Sequence, residues 1–507
     1  MSLLRPYEML VKCIILLVTN YFLYTHGLDK NPSILIIGAG PSGIAAASRL
    51  WKNKFTNLKI LEGENRIGGR VHSVKFGDAY IDLGGEWCHG EKGNIVFDMV
   101  KQYDILKHSS ASMHVYYSNG ILLDEEIYND LAEFAESMYE SLNNTEVEEK
   151  CSNFSSVGEC FDNQFNTTFA KLYQNNYNLQ TILAEAKSWL EGYVLAFDSA
   201  FTLYDIARNS AYEECEGDLG LNWNGRGYKT ILEVMLQQYP DPTQELAVVN
   251  NILLNKEVTR IIWNNSANQV LCLDNTTYPA DHVIFTASLG VLKATLESLF
   301  EPALPDEKVR AIRNIGFGAI MKIILHFPHT WWDTAQPYAF IWSAADRKKI
   351  LTEFGKGPVR NGRSWLTENT YFIPADNNPK VLMGFFAGEM VPEIEQESNE
   401  VLSAGCMYMF RKFLGKTHNN ITDPDDIIKS MWYSNPHFRG TYSYDSAKNT
   451  EQGLQNKLAA PLLRKNGDPA IQFAGEATHP YHFSTVHGAI ESGYREADRL
   501  IHYYAQH

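Results

Sequence analysis

The sequence predicts an α/β fold assembled from separated stretches of chain, with a second domain of mixed α+β character interleaved. Three observations predict it. A short apolar β-like run, "SILIIG", feeds through glycines into an alanine-rich helical pattern, "PSGIAAASRLWK". Another β-like run, "LKILEG", follows, and two more, "HVIFTAS" and "AIQFAGEAT", return only after long intervening stretches. Those stretches change character, to helical periodicity with acidic and aromatic residues over 101–239, and to strands with several tryptophans over 301–435. A chain of 507 residues, 45% of them apolar, has material for more than one core. The division expected is a first domain from 32–100, 240–300 and 436–505, and a second from 101–239 and 301–435.

Taken in order, Arg5 and Lys12 precede "CIILLVTNYFLY", an apolar run too short for a comfortable membrane helix. Residues 1–27 are therefore expected to be a cleaved secretory signal. N-x-S/T sequons at Asn143, Asn153, Asn166, Asn264, Asn275 and Asn420 agree with export and N-glycosylation. No membrane span is expected after cleavage, and "YYAQH" carries neither a retention tetrapeptide nor a peroxisomal tripeptide. The net charge of -16 supplies no basic excess to neutralise phosphates, which argues against nucleic acid as a partner. Of seven cysteines, Cys13 lies in the signal, while Cys151 and Cys160 bracket a short polar loop and are the expected disulfide. Cys88, Cys215, Cys272 and Cys406 show no zinc-like spacing, so no metal site is expected from them.

The first element carries the first chemistry. Gly38, Gly40 and Gly43, with Ser42 among them, form G-x-G-x-x-G directly after a strand and at the start of a helix. Such a turn lets a pyrophosphate approach the free N–H groups of the helix N-terminus. Glu62 ends the second strand, where a carboxylate can bind both ribose hydroxyls and disfavours a 2′-phosphate.

A later strand poses a question. In "GFGAIMKIILHF", period two places Lys322 on one face with Ile320, Ile324 and His326, and Met321, Ile323, Leu325 and Phe327 on the other. Either the first face meets water, or the lysine is held in an apolar site where its chemistry matters. Periodicity alone leaves both readings open.

Four further motifs bear on that choice. "ENRIGGRVHS" contains Arg70; "DLGGEWCHG" contains Gly85, Glu86, Trp87 and His89; "MWYSNPHFRGTYSY" contains Trp432 and Tyr442; "FAGEATHPYHFSTVHGAIESGYREADRLI" contains Gly475, Glu476, Thr485 and Val486. From about Pro32 to His502 the chain resembles the flavin-dependent amine oxidases, and within them the polyamine-oxidising branch. The resemblance implies a Rossmann-like FAD-binding domain and an interleaved substrate-binding domain. It implies that Gly85, Glu86, Trp87, Arg70, Val258, Trp432, Gly475, Glu476, Thr485 and Val486 lie along the cofactor. Glu86, Trp87, His89, Tyr442 and Thr485 would face the substrate, and Lys322 would hold a water against flavin N5. Thr441 stands where monoamine oxidases carry the cysteine that bonds to the flavin, so non-covalent FAD is expected.

The activity implied is hydride transfer from an amine-bearing carbon to flavin N5. Hydrolysis of the imine to an aldehyde and a shorter amine would follow, with O2 reduced to H2O2. Secreted L-amino-acid oxidases share both ends of the pattern but need an arginine for the substrate carboxylate, and none occurs between Arg70 and Arg208. Monoamine oxidation and a flavoprotein-fold binding protein without turnover are the other readings. Glu191, Glu213, Glu214 and Asp218 are candidate contacts for distal ammonium groups.

Overall fold

The computed structural model describes residues 31–109, 113–140, 151–172, 175–263, 267–448 and 453–506. The expected signal segment and the sequons at Asn143 and Asn264 lie outside these residues. The four other sequon asparagines, Asn153, Asn166, Asn275 and Asn420, are exposed, and Cys151 is bonded to Cys160. No helix among the described residues is long and apolar enough to cross a membrane.

Two sheets organise the chain. The first has six strands in the spatial order Leu462–Leu463, Pro469–Phe473, His282–Phe285, Ile34–Ile37, Leu58–Leu61, Ile252–Leu253. All but the first of these pair in parallel. Ile34–Ile37 and, after the buried His282, Val283 to Phe285 read as continuous apolar runs because every residue in them is buried, as a parallel sheet covered on both faces requires. The helix Pro41–Lys52 covers one face, with Pro41 preset for the first turn and its alanines inside. The long closing helix Val486–Gln506 packs across it. Gly493 permits the contact, since a Cβ there would stand 2.2 Å from the Ser42 carbonyl oxygen.

The second sheet has seven strands in the order Asp426–Lys429, Ile320–His326, Val381–Ala387, Asn369–Pro374, Tyr338–Ile341, His114–Tyr117, Ile121–Leu122. It thus joins strands from both stretches expected to form the second domain. The helix Tyr177–Asp198 lies against this sheet, held by Trp189, whose Nε1 donates to the Thr370 carbonyl at 2.8 Å.

The strand Ile320–His326 is flat against protein on both faces. Met321, Ile323 and Leu325 enter a large aromatic core with Phe327 just beyond, while Ile324 lies in a separate cluster under the hairpin formed by Ser73–Phe76 and Ala79–Asp82. His326, at the strand's end, packs edge-on against Phe76 at 6.0 Å. The hairpin keeps water off the face that carries Lys322, and so settles the question that periodicity left open.

Candidate active site

A glycine-lined cleft forms at the C-terminal ends of the parallel strands. Gly38 has φ +103°, and a Cβ on Gly43 would lie 2.0 Å from the Gly38 carbonyl oxygen, so the tight turn needs both glycines. The helix that follows begins without a side-chain cap. Its first-turn N–H groups are left for an anion. The loop carrying Gly68 and Gly69 approaches so closely that a Cβ on Gly69 would sit 3.2 Å from the Gly40 Cα. Ser42 is buried, its hydroxyl 3.2 Å from that of Ser492.

Glu62 stands at the end of its strand. One carboxylate oxygen accepts from the Ala39 N–H at 2.7 Å and the other from the Glu64 N–H at 2.9 Å. Each oxygen keeps a lone pair for a ribose hydroxyl. Burial pushes this carboxyl up. The Lys256 N–H donates to the Glu62 carbonyl at 2.7 Å, which sets the strand starting at Val258 beside the same spot.

Arg70 is oriented through Nη1, which donates to the Thr441 carbonyl at 2.6 Å and to Glu476 at 2.9 Å. Glu476, nearly fully buried, is fixed by the Ser443 hydroxyl at 2.6 Å and the Ser484 N–H at 2.8 Å. Gly475 has φ +116°, and a Cβ there would meet nothing closer than 3.7 Å. An uncapped helix start, two facing glycine turns, a ribose-competent carboxylate and a braced guanidinium form a donor and acceptor set that fits a dinucleotide cofactor.

Lys322 marks the far end of the cleft. Its Nζ donates to the carbonyls of Asp82 at 2.8 Å and Gly84 at 2.9 Å and to the Glu86 carboxylate at 2.6 Å. Three hydrogens meet three acceptors, so the ammonium is fully satisfied although only 4% of the residue is exposed. The register places Phe385 directly opposite, and Nζ lies 5.1 Å from its ring centre. Gly84 has to be glycine, because a Cβ would stand 1.8 Å from the Arg70 carbonyl oxygen and 3.1 Å from the Trp432 ring. That approach links Arg70 to the lysine.

Glu86 was expected to receive substrate ammonium groups. It is the counter-ion of Lys322, with burial pushing its carboxyl up against the pull of the lysine. Asp82, whose carbonyl serves Lys322, has its carboxyl pushed up to about 7 by burial, while the Tyr228 N–H at 3.0 Å and the Ser73 hydroxyl hold it in place.

Aromatic rings lead away from Lys322. Trp87 stacks on Phe385 at 5.9 Å, Phe385 lies 4.8 Å from Tyr371, and Tyr371 lies 6.0 Å from Tyr193. Trp432 is nearly fully buried, its Nε1 donating to the Leu83 carbonyl at 2.9 Å. His89 meets the Leu219 carbonyl through Nδ1 at 2.7 Å, which makes Nδ1 the protonated nitrogen and leaves Nε2 as an acceptor. Thr485 caps the closing helix, its hydroxyl accepting from the Gly488 N–H at 3.0 Å and donating to the His482 carbonyl at 2.7 Å. Val486 follows it, and a Cβ on Gly85 would come 3.2 Å from the Val486 side chain.

The Tyr442 hydroxyl donates to the Ala196 carbonyl at 2.7 Å, and the Ser199 hydroxyl donates to the Tyr442 carbonyl at 3.0 Å. Together they lock the C-terminal end of the helix Tyr177–Asp198 in place. Asp198, its last residue, is partly buried, and among the described residues no hydrogen bond or ion pair reaches its carboxylate. Burial, reinforced by Asp445, pushes this carboxyl up to about 7. A helix C-terminus is itself negative, so carboxylate and dipole together favour a cation.

The four acids expected to contact distal ammonium groups have other surroundings. Glu191 pairs with Lys187 at 2.9 Å, Asp218 with His108, Glu214 meets the Tyr212 hydroxyl at 3.2 Å, and Glu213 is exposed. Sequence reasoning missed Phe385, Tyr371, Tyr193 and Asp198. Phe385 had a signal, since pairing "VLMGFFAG" with the lysine strand puts an aromatic opposite Lys322; Asp198 had none.

A family model for flavin containing amine oxidoreductases matches residues 41–501. The chain belongs to this family. It is 30% identical to a human protein named peroxisomal N(1)-acetyl-spermine/spermidine oxidase, over 94% of this chain and 96% of that one. It is 27% identical to probable polyamine oxidase 5 of Arabidopsis thaliana, covering 94% and 99%, and 28% identical to polyamine oxidase 1 of Zea mays, covering 93% and 90%. The family implies a flavin cofactor, and the donor and acceptor set of the glycine turns fits a dinucleotide.

Proposed function

We propose that the chain is a secreted polyamine oxidase with non-covalently held FAD. The observation that carries this reading is the aromatic series from the Lys322–Glu86 pair through Phe385 to Tyr371, taken with Asp198, whose carboxylate lies near Tyr442 and has no hydrogen-bond or ion-pair partner among the described residues. A substrate with one amine at the reacting end and a second, cationic nitrogen some distance away is complementary to that layout. Bound FAD would accept the hydride and pass the electrons to O2, giving H2O2. Asp198 would take the distal ammonium, and Trp87, Phe385, Tyr371 and Tyr442 would line the methylene chain while excluding water. Glu86, whose raised carboxyl competes for a proton, would receive one from the arriving ammonium at Oε1, the oxygen not paired with Lys322, leaving the neutral amine that hydride transfer requires. Arg70, braced by Glu476, would face the cofactor phosphates, and Thr441 in place of a thiol supports non-covalent binding. The exposed sequons and the Cys151–Cys160 bond support export.

Two measurements test this. Anaerobic addition of spermine or N1-acetylspermine to the yellow protein is expected to bleach the flavin, whereas L-leucine and tyramine leave it oxidised. Bleaching by L-leucine would move the assignment to amino-acid oxidation, and no bleaching by any of the four to a binding protein. Replacing the ribose-facing acid, Glu62→Ala, is expected to weaken FAD binding by about 10-fold or more, the loss typical of a hydrogen bond to a charged group. Flavin retained through desalting at the wild-type level would remove Glu62 from the cofactor site.

A further inference from the structure

Beside the start of the closing helix lies a cluster that the amine oxidation does not use. Cys215 and His487 are buried and His482 partly so, and one ligand-capable atom of each lies within 4.8 Å of the others. The Cys215 Sγ is 3.8 Å from His487 Nε2, and the rings of His482 and His487 are 4.8 Å apart at 67°. The 3.8 Å between Sγ and Nε2 is close to the separation of two ligands on one tetrahedral ion with bonds of roughly 2.0–2.3 Å. His482 gives Nδ1 to the Glu491 carboxylate at 2.9 Å, which leaves its Nε2 for Cys215. A carboxylate behind a ligating histidine is the usual support for a metal-bound imidazole.

We infer that Cys215, His482 and His487 form a site for a borderline-soft divalent ion of the zinc class, with Glu491 orienting His482. The neighbouring His479 is not a ligand. Its Nδ1 accepts from the His482 N–H at 2.8 Å, so its proton sits on Nε2 and goes to Glu491 at 3.0 Å. On His487, Nδ1 stands 3.4 Å from the Asn94 amide nitrogen, beyond the roughly 2.7–3.2 Å of an ordinary hydrogen bond, so this contact does not fix the proton on Nε2 as the 2.8 Å bond does on His479. Entry is from the side of His482 and Glu491, both partly exposed. The expectation from sequence that Cys215 serves no metal rested on linear spacing. The fold supplies the missing partners from a segment more than 260 residues away.

The ion would join the loop at Cys215 to the helix that begins at Val486, behind the wall carrying His89, whose carbonyl accepts from Asn94 at 2.7 Å. Three protein ligands leave the fourth position of such an ion to water, and the ion would hold the loop, the His89 segment and the closing helix together.

Full-length protein expressed with zinc and dialysed is expected to hold close to one zinc per chain. Cobalt substitution is expected to give the sulfur-to-metal charge-transfer band of a thiolate ligand. Cys215→Ser is expected to abolish that band, His482→Gln to weaken binding by at least 10-fold, and Glu491→Gln by about 10- to 100-fold. His479→Gln is expected to leave metal content unchanged. Bound flavin reports folding in every variant, and His482→Gln serves if Cys215→Ser does not fold. Absence of both zinc and the cobalt band in flavin-loaded wild type would overturn the site, as would equal losses in His479→Gln and His482→Gln.

Discussion

Lys322→Met is expected to keep its FAD while flavin reduction by spermine slows by about 100-fold or more, the lower range for removing a positioned acid–base group. The substitution leaves the carbonyls of Asp82 and Gly84 and the carboxylate of Glu86 without their common donor. Each buried acceptor left unpaired costs about 1–3 kcal/mol, so a lower melting temperature accompanies the slower chemistry. Glu86 responds by taking a proton, which its burial already favours, and so can no longer receive one from the substrate. Stopped-flow traces of the reductive and oxidative half-reactions, taken on protein of matched flavin content, provide the check. Near-wild-type rates in both halves would make the lysine a structural cation that only closes the hairpin onto the sheet.

Asp198→Asn is expected to lower kcat/KM for spermine by about 30-fold or more, corresponding to about 2 kcal/mol, the lower end for removing one partner of a buried charge pair. An alkyl monoamine, lacking the distal ammonium, should lose little. The loss should appear mainly in KM, because the contact is far from the reacting carbon. A pH dependence follows from the same group. Burial raises its carboxyl from 3.8 to about 7, with Asp445 adding to the shift and Tyr442 and Tyr444 facing it. Between those values the native state holds a proton that the unfolded chain has released, so this group's contribution to stability falls as pH rises through that window. Spermine binding runs the other way, strengthening as Asp198 ionises with rising pH through about 7. The rising limb in kcat/KM should be missing from Asp198→Asn. A limb that persists in the variant would assign it to Asp82, the other carboxyl near 7 beside the site.

Legibility followed the range of the interaction that decides each feature. The turn at Gly38, Gly40 and Gly43 and the carboxylate at Glu62 are local, set by one strand, one turn and the next strand, and they appear where the linear pattern puts them. The partners of Arg70 were not legible. Thr441 and Glu476 lie 371 and 406 residues away and reach it only because the last strand returns to the first sheet. The counter-ion of Glu86, expected by resemblance to face the substrate, was not legible, because Lys322 arrives from a strand 236 residues later. The expected acids Glu191 and Asp218 found nearby bases, and the carboxylate left without one, Asp198, had nothing in its local sequence to distinguish it.

By itself the sequence determined the strand, turn and helix that can receive a pyrophosphate, the acid at the end of the next strand, and a lysine in the middle of an apolar strand. These depend on residue type and spacing within about twenty-five positions, over which backbone geometry is nearly fixed by local sterics. Only the tertiary structure decided that the lysine is dry, which carboxylate neutralises it, which aromatic rings follow it, and that Asp198 has no partner among the described residues. Those outcomes depend on which surfaces are excluded from water once the hairpin, the two sheets and the closing helix pack together, and burial is a property of the whole chain.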